Sequence, residues 1–174
     1  MPIAFIGLGA NLPSSAGPPS ATLANAVTRL ASMGRVTAKS SLYSTEPVGF
    51  AAQPRFLNAV VALETELSPR ALLEALLSIE REFGRDRTSG IANGPRTLDL
   101  DLLIYGTRSI NEPGLEAPHP RLAERAFVLV PLTEIAPQAI DTRSGLTVSQ
   151  LLEGLRQSNG SEADVVVPIQ SDVW

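Results

Sequence analysis

Cysteine is absent from the chain, and histidine and lysine occur only once each, as His119 and Lys39. The lack of cysteine excludes disulfide frameworks, thiolate zinc sites and cysteine nucleophiles. No apolar run is long enough to cross a bilayer, and the residues after Met1 lead into a strand pattern rather than a signal peptide. We therefore expect a cytoplasmic protein with no membrane partner, whose chemistry uses oxygen, nitrogen or a hard cation.

Charge is also scarce, and it is slightly negative overall. Charged residues make up 18% of the chain, hydrophobic residues 44%, and the formal net charge is −4, a globular composition without the basic surplus typical of nucleic-acid binding. The length suits one domain, 1–174, and we assign no element to residues 160–174.

The general excess of arginine over lysine indicates codon preference. Its grouping after residue 85 predicts a phosphate site, because guanidinium donates paired hydrogen bonds to phosphate; the group contains Arg85, Arg87, Arg96, Arg121 and Arg125.

Helical and strand periodicities alternate along the chain, separated by glycine and proline. Ser68 and Pro69 form a helix start, with serine as the N-cap and proline at the first helical position. The strands at 36–43 and 56–65 can pair antiparallel, so we predict an α+β sandwich with an antiparallel sheet. The predicted strands are 3–8, 36–43, 56–65, 98–105 and 108–111; the predicted helices are 20–33, 69–83, 121–129 (interrupted by Pro131) and 148–156, with a loop at 113–120.

Asp99 and Asp101 are the strongest candidates for chemistry. Alternate side chains of a strand point the same way, so the two carboxylates share one face while the leucines between and beside them face the core. Neighbouring like charges repel, and Mg²⁺ removes that repulsion by taking one or two carboxylates with waters and phosphate oxygens. The alternative is a solvated pair at a sheet edge. We favour a magnesium site, because a strand this apolar is rarely exposed.

Other candidates are weaker on the residues alone. Arg96 precedes the aspartate strand and can reach the same phosphates. His119 lies between two prolines, and a structural hydrogen-bonding role is as reasonable as a phosphate contact. Glu80 borders an apolar helix stripe, where periodicity favours an ordinary flanking residue. A P-loop is missing, Gly7 and Gly9 lack the third glycine of the dinucleotide fingerprint, and no nucleophile elbow accompanies the histidine.

Several motifs in order carry a family resemblance. They are Ala4–Leu12, Tyr43–Gly49, Phe56–Ala59, Gly94–Asp101 (GPRTLDLD), Ala117–Arg121 (APHPR), Arg125–Phe127 and Pro131–Pro137. With these motifs the chain resembles the 6-hydroxymethyl-7,8-dihydropterin pyrophosphokinase family over nearly its whole length. The resemblance implies a single-domain, monomeric, ferredoxin-like three-layer α+β sandwich. It also implies transfer of diphosphate from ATP to the pterin hydroxymethyl group, with release of AMP, in folate biosynthesis.

The resemblance further implies roles for individual residues. Two Mg²⁺ ions are expected on Asp99 and Asp101, and Glu80 is assigned to the nucleotide, against its periodicity. By position, the catalytic residues are Arg85, Arg96, Asp99 and Asp101; the ATP-binding residues are Glu80, Arg87, Leu102, His119 and Arg125; and the pterin-binding residues are Thr45, Pro47, Val48, Phe56, Asn58 and Phe127.

Some features set limits on the resemblance. Asn93 stands where family members often carry tryptophan, and Ala92 where a basic residue is common, so closure of the loop at 85–95, expected to be a mobile lid, can differ. Two other functions use the same residues: a metal-dependent phosphodiesterase or nuclease, and a ligand-binding domain without catalysis.

Overall fold

The computed structural model describes residues 1–47, 52–88, 94–159 and 165–174. Its elements, in chain order, are β1 (Ile3–Ala10), α1 (Pro19–Leu30), β2 (Arg35–Lys39), β3 (Leu42–Thr45), β4 (Phe56–Glu64), α2 (Pro69–Glu82), β5 (Asp99–Tyr105), β6 (Ile110–Glu112), β7 (Leu115–Ala117), a 3₁₀ turn (Leu122–Glu124), α3 (Ala126–Ile135), β8 (Ile140–Asp141), β9 (Leu146–Thr147), α4 (Val148–Asn159) and β10 (Val167–Ile169).

The central sheet is antiparallel throughout, in the order β10-β3-β4-β1-β5, and β2 also pairs with β4. On one face α1 and α2 bury leucines such as Leu23 and Leu72 against Ile6, and on the other α3 and α4 bury Leu129 and Leu152. This arrangement confirms the predicted α+β sandwich of three layers. Among the described helices, none has the length and apolar character required to span a bilayer.

The local sequence explains where α2 begins. The Ser68 hydroxyl accepts a hydrogen bond from the Ala71 backbone N–H at 3.2 Å, and Pro69 occupies the first turn of α2, as the capping pattern predicts. The predicted strand at 36–43 is instead two strands, β2 and β3. They separate at Ser40, whose hydroxyl accepts the Val60 N–H at 2.9 Å and so replaces a ladder bond.

Pro131 does not interrupt its helix, so that prediction is wrong. It lies inside α3, where its missing N–H removes only one intrahelical bond. Leu129 and Leu132 on either side are fully buried, and their packing outweighs this loss. The predicted loop at 113–120 also contains a short strand, β7, which forms a hairpin with β6.

The C-terminal region contributes a strand that the sequence did not predict. Residues of β10 pair antiparallel with β3, and Pro168 is compatible with this place at the edge of the sheet. The indole N–H of Trp174 then donates to the Ser40 carbonyl at 2.8 Å, and the Lys39 ammonium lies 4.6 Å from the ring centroid. Long-range contacts of this kind have no local sequence pattern.

Candidate active site

A row of three residues crosses the sheet at the heart of the site. Gly9 of β1 lies opposite Asp99 of β5 on one side and opposite Asn58 of β4 on the other, while Gly7 lies opposite Asp101. A Cβ atom at Gly9 would lie 2.9 Å from Asn58 Oδ1, so a side chain there would displace the amide. The two glycines therefore form a low floor between the aspartates and Asn58.

The carboxylates of Asp99 and Asp101 share one face of β5, as the alternation predicts, and arginines surround them. Arg96 Nη1 lies 2.9 Å from Asp99 Oδ2, Arg87 Nη2 lies 3.5 Å from Asp99 Oδ1, and Arg125 Nη1 lies 3.9 Å from Asp101 Oδ2. Burial, reinforced by the negative charge of Asp99, raises the pKa of Asp101 to about 7. The charged form of Asp101 is therefore unfavourable even beside these arginines.

The donor set of this pair suits Mg²⁺. Mg²⁺ is commonly bound by one or two carboxylates, with waters and substrate phosphates as its remaining ligands. In the described part of the chain, no group of three or more histidine, aspartate or glutamate side chains forms a metal cage. Asp99 and Asp101 would therefore hold the ion only together with other oxygen ligands, which phosphates supply. The magnesium assignment stays a prediction.

Next to Asp99 lies a slot of about 70 Å³ whose lining includes two aromatic residues, Phe56 and Phe127. Each ring has a guanidinium near it, Arg96 at 5.8 Å from the Phe56 centroid and Arg125 at 5.6 Å from the Phe127 centroid. The remaining lining residues are Gly9, Thr45, Glu46, Asn58 and Asp99. A flat, polar heterocycle fits such a slot, because its faces stack and its edge meets polar groups.

The Asn58 amide forms one end of the slot. It is 7% exposed, and its Nδ2 donates to Thr45 Oγ1 at 2.7 Å. Pro47 borders a neighbouring cavity of about 310 Å³ that also contacts Phe127, and Val48 lies outside the described residues. Glu46 and the glycine floor were not among the residues predicted for this site.

A second cavity, of about 360 Å³, opens along β5 on the other side of the aspartates. It brings together three of the residues predicted for ATP, Arg87, Leu102 and His119, beside Asp101. Its apolar wall includes Leu73 and Leu77 of α2, which sequence reasoning missed. Each of these leucines follows a buried leucine of α2 in the sequence, so the apolar face of the helix is wider than the core requires. That extra width is the sequence signal that could have predicted them.

Glu80 is a buried residue, so the interpretation of an ordinary flanking residue is wrong. Its side chain is 1% exposed, and its carboxylate accepts the Leu100 backbone N–H at 2.7 Å and Arg87 Nε at 2.9 Å. Burial raises the pKa of Glu80 above its ordinary value despite these bonds. The glutamate therefore ties the middle of the aspartate strand to an arginine that lines the second cavity.

Arg85 follows on the same segment and has a free donor. Its Nη1 atom is buried without a hydrogen-bond partner among the described residues, which suits an incoming phosphate oxygen. Residues 89–93 of the predicted lid, which include Ala92 and Asn93, lie outside the described residues, so the lid stays a prediction.

His119 is held in one tautomer. Its backbone N–H donates to the Leu103 carbonyl at 2.7 Å, and its Nδ1 accepts the Arg121 backbone N–H at 3.1 Å. Burial, followed by the positive charge of Arg125, lowers its pKa to about 4. At neutral pH the imidazole is therefore uncharged, and Nε2 carries the proton that can be donated to a phosphate.

We expect the His119 resonances to show no titration between pH 8 and pH 5.5, because protonation would add a buried charge next to Arg125. The measurement is a pH series of imidazole ¹⁵N and ¹³C shifts, which need no assignment since the chain has one histidine. The same protein in urea serves as the control and should titrate near 6.5. A midpoint above 6 in the folded protein would contradict the expectation.

Comparison with known proteins supports a single assignment. The family model described as 7,8-dihydro-6-hydroxymethylpterin-pyrophosphokinase (HPPK) matches residues 5–137, a segment that contains every predicted site residue. The 2-amino-4-hydroxy-6-hydroxymethyldihydropteridine pyrophosphokinase of Synechocystis sp. is 45% identical over 152 residues, covering 86% of this chain and 74% of that protein. The enzyme of the same name from Methylorubrum extorquens is 45% identical over 157 residues, covering 89% and 94%.

Solved structures agree on the fold. The crystal structure of wild-type Plasmodium falciparum HPPK-DHPS superposes with a TM-score of 0.70 at 14% identity, covering 94% of this chain and 47% of that one. This chain thus spans about half the length of that structure. The likeness confirms the ferredoxin-like arrangement, and the sequence matches identify the lineage. The chain belongs to the 7,8-dihydro-6-hydroxymethylpterin-pyrophosphokinase family.

Proposed function

We propose that this chain transfers diphosphate from ATP to the hydroxymethyl group of 6-hydroxymethyl-7,8-dihydropterin and releases AMP, a step of folate biosynthesis. It is an ATP-dependent diphosphotransferase, the activity for which its family is named. One observation carries the assignment to this site: an aromatic slot that contains Asp99 and a largely apolar groove that contains Asp101, Arg87 and His119 meet at one carboxylate pair.

The pterin ring lies between Phe56 and Phe127, and its polar edge faces Asn58 and Thr45. Offset stacking on both faces adds to the burial of the ring. The Asn58 nitrogen donates one proton to Thr45, which leaves its second proton and its carbonyl oxygen for the ring edge. This end of the slot therefore suits a heterocycle with a donor and an acceptor at its edge. The hydroxymethyl group points towards Asp99, at the boundary between the slot and the groove.

ATP lies along the groove of β5. Leu73 and Leu77 contact the base, and the triphosphate passes between Arg87 and His119 towards Arg125. The neutral imidazole donates from Nε2 without the energetic cost of a buried positive charge, while the arginines supply the charge that phosphates require. Arg85 has an unpartnered buried donor in the described structure, and it approaches the phosphates from the segment after α2.

Asp99 and Asp101 would hold the Mg²⁺ ions of the nucleotide, of which we propose two. When bound, Mg²⁺ neutralises phosphate charge and makes the phosphorus more electrophilic. Arg96 and Arg125 keep positive charge on both sides of the carboxylate pair, where charge develops on the transferred group and on the leaving oxygen. The pterin hydroxyl oxygen forms a bond to the β-phosphorus as the bond between that phosphorus and the AMP oxygen breaks, and the hydroxyl proton is released to solvent. We assign no side chain as general base, because positioning supplies most of the rate in phosphoryl transfer.

The test combines protein, ATP, Mg²⁺ and 6-hydroxymethyl-7,8-dihydropterin and follows the nucleotide product. We expect one AMP for each pterin consumed. Formation of ADP would contradict diphosphate transfer, and release of nucleotide without pterin would favour the phosphodiesterase. Calorimetry with ATP tests the remaining alternative, a ligand-binding domain without catalysis. Absence of magnesium-dependent ATP binding would favour that domain. The single-domain and monomeric states stay predictions, which sedimentation of the same sample tests.

A further inference from the structure

Asn11, the residue after β1, connects two segments that are distant in sequence. Its side chain is 3% exposed. Its Nδ2 donates to Gln53 Oε1 and to the Pro54 carbonyl, both at 2.9 Å, and its Oδ1 accepts the Arg96 backbone N–H, also at 2.9 Å. Both amide protons and the oxygen are therefore used, each in a contact between segments. The amide orientation follows from its partners, because a backbone N–H needs an acceptor and a carbonyl needs a donor.

One arm of this connection fixes Arg96. Besides the bond to the Asn11 side chain, the Arg96 carbonyl accepts the backbone N–H groups of Asn11 and Leu12 at 3.1 and 3.2 Å. The segment that carries Arg96 lies before β5 and outside any strand, so these bonds replace a sheet ladder. The guanidinium they position pairs with Asp99 at 2.9 Å.

The other arm fixes the approach to the aromatic slot. Gln53 and Pro54 come just before Phe56, the first residue of β4. Pro54 has no N–H of its own, and its carbonyl is held by Asn11. The position of the Phe56 ring therefore depends on the same side chain as the position of Arg96, and the two groups meet at 5.8 Å.

We propose that Asn11 is a positioning residue that holds the pterin-side wall and the phosphate-side arginine in register across the end of β1. It contacts neither substrate in this account, which rests on the proposed placement of pterin and ATP. In-line transfer requires the attacking oxygen and the phosphorus to be aligned to a fraction of an ångström, so the alignment of two walls built on different segments affects the rate. Asparagine is suited to this position because aspartate has the acceptor but neither donor.

The experiment uses Asn11→Asp and Asn11→Ala in steady-state assays, with each substrate varied in turn and thermal unfolding measured in parallel. The aspartate keeps the acceptor for Arg96 but turns an oxygen towards Gln53 and Pro54. We expect a KM for pterin about tenfold higher and a KM for ATP within about twofold. The alanine loses both arms, and we expect kcat to fall about tenfold as well.

Matched variants keep the result interpretable. Asn25→Asp makes the same chemical change at an exposed position of α1 and should leave all constants unchanged. If Asn11→Asp does not fold, Gln53→Ala, which removes one of the two acceptors of the Asn11 amide together with the rest of the Gln53 amide, decides through a KM for pterin about twofold higher. Equal KM changes for both substrates, or lower thermal stability with unchanged kinetics, would overturn the positioning role. Asn58→Ala distinguishes failure of the Asn11 proposal from failure of the proposed function. If this variant also leaves pterin binding intact, the proposed pterin site itself is wrong.

Discussion

Replacing Asp101 with asparagine is expected to lower kcat for AMP release by about 10³-fold while raising the melting temperature of the ligand-free protein. The rate falls because, on the proposed placement, a single carboxylate would hold the Mg²⁺ that neutralises the transferred group less tightly than two carboxylates. Stability rises because the mutation removes a partly buried charge that repels Asp99. Steady-state assays and calorimetric unfolding measure the two effects on the same sample.

The sign of the pH dependence provides a further check on Asp101. Its pKa is raised from 3.8 to about 7, so between these values the folded chain binds a proton that the unfolded chain releases. Stability of the ligand-free fold is therefore lost as pH rises through this window. The rise in melting temperature caused by Asp101→Asn should then be larger at pH 8 than at pH 5.

Glu82→Gln, at an exposed ion pair with Arg29, is the control and should alter neither rate nor melting temperature appreciably. Destabilisation by the asparagine would contradict this electrostatic account.

Arg96→Lys is expected to lower kcat about 10²-fold although it conserves the charge. The guanidinium bonds to Asp99 through Nη1 at 2.9 Å, donates to the Gly94 carbonyl at 3.3 Å through Nε, and lies over Phe56. Lysine offers a single point charge and cannot make these contacts together while also meeting a phosphate. Since the backbone of residue 96 is held by Asn11, the substitution changes the side chain and leaves its anchor in place.

Kinetics with both substrates distinguish this effect from general damage. Arg29→Lys is the matched control, because Arg29 is half exposed and pairs only with Glu82 among the described residues. It should keep full activity. An Arg96→Lys enzyme with kcat within about threefold of the parent would show that the fork geometry is unimportant and that charge alone suffices at this position.

The elements predicted best are those specified by their own residues. β1, α2 and β5 have long apolar periods and strong end residues, and each was predicted to within a few residues. β7 and β10 have three residues each, too few to show a period; β7 pairs with the neighbouring β6, and β10 pairs with β3, far away in the chain. α3 shows that a strong local signal can also mislead. Proline is a helix breaker, but burial of the leucines near Pro131 in the core keeps the helix intact.

The site divides in the same way. The aspartate pair could be predicted from its two-residue spacing, because a strand places both side chains on one face. Asn11 could not, since its partners lie 42 to 85 residues away. Periodicity wrongly indicated that Glu80 is an ordinary flanking residue. Its carboxylate lies on the buried helix face with the leucines, where it accepts a backbone N–H from β5, and no local pattern predicts that contact. Several roles also came from the family resemblance rather than from any pattern, and those roles stay predictions.

The glycine floor has a consequence for inhibitor design. A compound that lies flat between Phe56 and Phe127 rests on the backbone of Gly9 rather than on a side chain. Any larger residue there would push against the Asn58 amide, which is also pinned to Thr45. On the proposed placement of the pterin, drug resistance by substitution at this position would therefore damage recognition of the natural substrate together with that of the drug.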